Sequence, residues 1–107
     1  MTILVFNETS SAADTIESFY TNNNGDGVVI KAFTASNNSD SSKSYKAYIY
    51  PDSGSDPQAV IPQTIVVRDR KDYGPSIIGQ EIPSGGSLRM ETSDIDGLNF
   101  YVTGQIL

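Results

Sequence analysis

The chain has no histidine, no cysteine and no tryptophan among its 107 residues. Without imidazole or thiol, His-based acid–base catalysis, Ser–His and Cys–His nucleophile pairs, disulfides, zinc sites and iron–sulfur clusters are excluded together. Cations are scarce as well: seven Lys+Arg against 13 Asp+Glu leave a formal charge of −6 and a pI near 4.3. A nucleic-acid grip needs clustered cations to displace counterions from phosphate, so none is expected. Long apolar runs are missing too. The opening Met-Thr-Ile-Leu-Val-Phe turns polar at Asn7-Glu8-Thr9. That run is shorter than the basic start and about 7–15 apolar residues of a secretory signal, or the about 20 of a membrane span. The expectation is a soluble protein made in a cytoplasm, with no membrane partner, no cofactor and no enzymatic activity.

Helix signals are few. Ser10-Ser11-Ala12-Ala13-Asp14 offers one capped turn, but Thr15-Ile16 and Phe19-Tyr20-Thr21 favour extended backbone. What the chain does have is polar punctuation, at 22–27, 37–42, 51–57, 71–75, 83–87 and 93–97, with short β-branched and aromatic runs between. This pattern predicts an all-β fold, a small antiparallel β-sandwich, jelly-roll-like or Ig-like, of about seven or eight strands. The strands are placed near Thr2–Phe6, Thr15–Thr21, Val28–Ser36, Ser44–Tyr50, Gln63–Arg68, Ser76–Glu81, Leu88–Thr92 and Asn99–Leu107. Period-two spacing puts Tyr45, Ala47 and Ile49 on one face and Lys46, Tyr48 and Tyr50 on the other. The expected core holds Val28, Ile30, Tyr45, Ala47, Ile49, Val66, Leu88, Phe100, Val102 and Ile106. Length bounds the molecule to a single domain over 1–107, with roughly 5,800 Å² of folded surface. Tight hairpins are predicted at Asn24-Gly25-Asp26-Gly27 and Pro83-Ser84-Gly85-Gly86-Ser87.

Each chemical motif has a structural alternative beside it. Asn22, Asn24 and Asp26 imitate the first half of a calcium loop, but Phe33 stands where the bidentate acid belongs, so a polar turn is expected. Asp52 and Asp56, and Asp94 and Asp96, pair carboxylates on loops; solvated charge is the favoured reading, and no metal is assigned. The same solvation keeps such pairs from the split acidities that glycoside hydrolysis requires. Arg68-Asp69-Arg70-Lys71-Asp72-Tyr73 holds three of the seven cations with interleaved acids. It reads as a solvated strand end or as a protein-contact edge built on Arg68, Arg70 and Tyr73. The segment 1–7, through Ile3, Leu4, Val5 and Phe6, reads as a contact arm or an internal edge strand.

Four stretches carry a resemblance. They are Val28-Val29-Ile30-Lys31-Ala32-Phe33-Thr34-Ala35-Ser36-Asn37, Tyr45-Lys46-Ala47-Tyr48-Ile49-Tyr50-Pro51, Ile82-Pro83-Ser84-Gly85-Gly86-Ser87-Leu88 and Phe100-Tyr101-Val102-Thr103-Gly104-Gln105-Ile106. Their order resembles that of small β-sandwich structural proteins of tailed-bacteriophage virions. The chain departs from that pattern in carrying the extra segments Pro51–Pro62 and Arg68–Pro75. The resemblance implies a capsid cement (decoration) protein on the outer surface of the virion, with the major capsid protein as partner and a homotrimeric state. Its alternative is a neck, tail or fibre module that recognises a host receptor or glycan.

Overall fold

The computed structural model describes residues 2–9, 13–54, 56–94 and 98–107, with the backbone alone for 2, 4–9 and 62. Among the described residues there are nine strands: β1 (Thr2–Thr9), β2 (Ile16–Thr21), β3 (Val28–Asn37), β4 (Lys43–Tyr50), β5 (Ala59–Val66), β6 (Lys71–Asp72), β7 (Glu81–Ile82), β8 (Ser87–Thr92) and β9 (Leu98–Ile106). They form two antiparallel sheets. One runs β1-β9-β3-β6, with β7 also on β3; the other runs β2-β8-β4-β5. The chain is all-β and the sheets stack as a sandwich, as the alternation predicts. Its exposed surface is 5530 Å².

Between the sheets lie the alternate side chains. Nine of the ten predicted core residues are buried and Ile106 packs part-exposed against them. Phe33, Ala35, Ile61, Ile77, Ile82, Met90 and Leu98 complete the layer. In β3 the inward phase changes from Val28 and Ile30 to Phe33 and Ala35, because the register with β9 slips between Ile30 and Ala32. A bulge adds one residue to one strand, and this one exposes Lys31 and Ala32 together while returning Phe33 to the core. Four rings bind the sheets at mid-height. Phe100 lies 5.4 Å from Tyr45, 5.9 Å from Phe19 and 6.0 Å from Phe33, each pair adding about 0.5–1.5 kcal/mol beyond burial.

Four sequence expectations are corrected. The segment Ser76–Glu81 is not a strand: Ile77 and Ile78 both donate to Gly74 O in a tight turn, Gly79 N and Gln80 O then bond Ile30 of β3, and the strand itself is Glu81–Ile82. Gly74 and Gly79, at φ 57° and 88°, make that turn, which drives Ile77 into the core as a plug. The predicted hairpin at Asn24–Gly27 is instead a crossing, since β2 and β3 belong to different sheets. The same holds for Pro83–Ser87, between β7 and β8. Finally, β5 starts at Ala59 and runs through Pro62, which an edge strand tolerates because its outer side needs no donor. The stretch Ser10–Asp14, weighed as one capped turn, lies largely outside the described residues; Ala13 and Asp14 form a turn, with Asp14 at φ 51°.

Candidate interaction surface

Two buried asparagines set the frame, one at each end of β3. Asn22 donates from Nδ2 to Asp26 O at 3.0 Å and to Ile82 O at 2.9 Å, and its Oδ1 accepts Asn24 N at 2.9 Å. Asn37 donates from Nδ2 to Ser41 O and Val66 O, both at 2.8 Å, and its Oδ1 accepts Ser39 N at 2.9 Å. The pattern is the same: one carbonyl four residues on, one amide two residues on, and one carbonyl of a distant sheet crossing. A calcium loop would turn these oxygens toward an ion; here Asn22 turns inward to the backbone. The Asn37 side chain lies in phase with the inward Phe33 and Ala35, and that phase is the sequence signal that betrays it.

From the Asn37 clasp the chain passes to the corner between β5 and β6. Arg70 N donates to Val67 O at 3.0 Å across a turn whose Asp69 stands at φ 60°, a conformation Asp tolerates. Asn37 N holds the corner from behind, through Arg70 O at 2.9 Å. On its far side Asp72 Oδ2 accepts Gly74 N at 3.0 Å and the Tyr45 hydroxyl at 2.6 Å. That last bond ties the two sheets together. Burial, with the bond to Asp72 and its charge acting in the same direction, holds the Tyr45 phenol far above the ordinary tyrosine range. Outward from this braced backbone point Val67, Arg68, Arg70 and Tyr73, all exposed, with Tyr73 at 63%. Arg68 Nε lies 3.7 Å from Asp69 Oδ2 on the open surface.

The two predicted contact groups do not come together. β1 and β6 are at opposite edges of the five-stranded sheet. β1 pairs with β9 from Thr2↔Gln105 to Thr9↔Asn99, and Ile3 packs against the core. The side chains of Leu4, Val5 and Phe6 lie outside the described residues.

The outer face of the four-stranded sheet carries charge and aromatics. Arg89 sits 3.7 Å above the Tyr50 ring and also donates to Gly54 O at 3.4 Å, so the loop after β4 folds back over Tyr50 and buries it. The Tyr48 hydroxyl donates to Glu91 Oε1 at 2.8 Å; desolvation first, then that bond and charge, push it up to about 12. Beside them is a shallow depression of about 150 Å³ lined by Asp14, Ser44, Lys46, Gln63 and Glu91. Of the alternative cation ligands, Asp94 Oδ2 takes Lys43 Nζ at 2.6 Å and Asp52 Oδ1 takes Gly54 N at 2.7 Å. Asp56 is exposed and Asp96 lies outside the described residues. Among the described residues no three acids converge on a metal position.

One group escaped the sequence reading. Val60, Ile65 and Val67 are 52%, 68% and 55% exposed along β5 and its exit. The signal was an uncharged run from Ala59 to Val67 in an acidic chain.

No family model matches the chain. No curated protein matches it either. Among solved structures, the crystal structure of the infectious bursal disease virus VP2 subviral particle aligns with it at 14% identity and a TM-score of 0.45. The alignment takes in 97% of this chain and 30% of that one, so the chain spans less than a third of that protein's length.

Proposed function

We propose that the chain is a non-enzymatic structural protein of a virus particle, a cement protein that binds the outer surface of the capsid through its own surface shape. The observation that carries this reading is the braced corner after β5. Its backbone is fixed from behind by Asn37 and Asp72, while Arg70 and Tyr73 stand out into solvent. Arg and Tyr are residue types enriched where proteins meet, and a held backbone spares the ordering cost of binding. The corner also concentrates cations in a chain of net charge −6. That overall acidity suits an outward position, because packaged nucleic acid would repel it on the inner wall. The phage-protein resemblance points to the same class. The depression beside Lys46, Gln63 and Glu91 supports the second reading, a module that receives a small polar group such as a host glycan.

Imaging of purified particles tests the assignment. Hundreds of copies over the shell are the expected result. A few copies at a tail tip would transfer the function to host recognition, and absence from any particle would overturn both readings.

A further inference from the structure

The four-stranded sheet ends in two edges of different character. Charged side chains commonly protect an edge from pairing with another chain. β2 carries Glu17, and in the other sheet the edge strands β1, β6 and β7 carry Glu8, Lys71 with Asp72, and Glu81. β5 carries none of the chain's 13 acids and seven cations, and the uncharged run continues through Val67. It is also eight residues long and presents Val60 and Ile65 to solvent.

We propose that β5 pairs with β5 of a second copy, antiparallel about a twofold axis, joining two four-stranded sheets into one of eight. This inference does not rest on the virion reading, and it sets a twofold pair in place of the homotrimer that the phage resemblance implies. Faces fix the register. Val60 pairs with Tyr48 and Ile65 with Ser44, both on the outer face, while Ile61 pairs with Ala47 and Thr64 with Tyr45 on the inner face. The irregularity between these two stretches changes the phase inside β5. A partner strand can therefore match outer to outer only if the first half of one β5 meets the second half of the other. With the axis between Pro62 and Gln63, Ala59 meets Val66, Val60 meets Ile65 and Ile61 meets Thr64 of the second copy. Each exposed valine then gains an exposed isoleucine as its cross-strand neighbour, twice by symmetry. Pro62, which has no N–H, falls at the axis, where the two halves join.

Charge argues for a second copy over another partner. Before β5 come Asp52 and Asp56, both exposed; after it comes Arg68, also exposed. The antiparallel twofold lays the basic end of one strand beside the acidic start of the other. Continued past the strand, the register sets Arg68 opposite Pro57 of the second copy, one residue from its Asp56. Asp69, at φ 60°, leaves the strand line there with its Oδ2 3.7 Å from Arg68 Nε, so in the pair Arg68 stands between that carboxylate and the Asp56 of the second copy. Two chains of charge −6 repel at distance, and here they meet along their uncharged edge, closed by opposite charges at both ends.

Light scattering on the full chain at about 10–200 μM is expected to give twice the 11.5 kDa chain mass. Ile65→Lys, at an exposed site, should keep the β spectrum and raise the dissociation constant at least about tenfold. Arg68→Glu should weaken the pair, and adding Asp56→Arg should restore it. The native chain has no cysteine, so Val60→Cys with Ile65→Cys should oxidise to a covalent dimer, while either alone should not. A mass of one chain at 200 μM, a trimer or dimer indifferent to Ile65→Lys, or equal cross-linking by single-cysteine variants would each overturn the proposal.

Discussion

The two ends of the sandwich are closed by one device and finished differently. At the Asn22 end the crossings lie against one another: Gly85 N donates to Asn22 O, Asn22 N to Gly86 O, and Ser84 Oγ to Asn24 O at 2.6 Å. At the Asn37 end the same side-chain clasp holds Val66 O, but the chain then swings out through Val67, Arg68, Arg70 and Tyr73. One clasp serves the crossing alone. The other also fixes a backbone from which side chains reach solvent. Rigidity at this fold's ends therefore comes from buried amides, and the ends differ in the exposed side chains mounted on them.

Removing the clasps is the harshest test of that equivalence. Asn37→Ala leaves two carbonyls without their donor and one amide without its acceptor, each worth about 1–3 kcal/mol when buried, so a loss of about 3–5 kcal/mol is expected. Asn22→Ala should match it in urea denaturation to within about 1 kcal/mol. A clear inequality would show that the ends are not held alike. A smaller loss, about 2–4 kcal/mol, is expected for Gly74→Ala, which needs φ 57° and sets a methyl 2.5 Å from Phe33 Cδ1.

Alkaline titration probes the brace unique to the Asn37 end. Tyr45 and Tyr48 are held above the ordinary tyrosine value, so folding favours their neutral forms. Their contribution is fully present below about pH 10 and is lost as pH rises beyond it toward the folded values. Absorbance near pH 11 should show Tyr45 and Tyr48 still protonated while the chain stays folded. Tyr45→Phe should leave the phenolate absorbance of the folded chain at that pH unchanged, because the neutral Tyr45 contributes none to it. The smallest effect concerns calcium. With Asp52 and Asp94 already engaged by Gly54 N and Lys43, thermal midpoints in EDTA and in millimolar calcium should agree to within about 1 °C. A rise of many degrees would revive Asp52, Asp56, Asp94 and Asp96 as ligands.

Much of the fold was legible because burial imposes period two. β4 and β9 alternate so cleanly that their inward faces follow from the residues alone. Sheet membership was not legible. Asn24-Gly25 suits a hairpin and a crossing equally, and the choice is made by Asn22 reaching Ile82 O sixty residues away. The plug at Ile77 was hidden likewise, since Ser76–Glu81 has strand-like isoleucines and only Gly74 and Gly79 hint at a turn. For the candidate surface, the Arg68–Tyr73 charge pattern was visible as a solvated strand end or contact edge, but not as a corner between two strands. The brace by Asp72 and Tyr45 joins residues 27 apart and could not be read. Val60 and Ile65 were missed because an apolar residue on an edge strand looks like core until its neighbours are known.

The central claim is that the Asn37-end corner is an adhesive surface on a stable frame. Co-sedimentation of Arg70→Ala/Tyr73→Ala with capsids lacking this chain tests it most directly. Both side chains are exposed, so stability should stay within about 0.5 kcal/mol of the parent. The account predicts that the unaltered chain sediments with the shells and that the variant, still folded, loses at least about tenfold in affinity. Equal binding by the two proteins would contradict it.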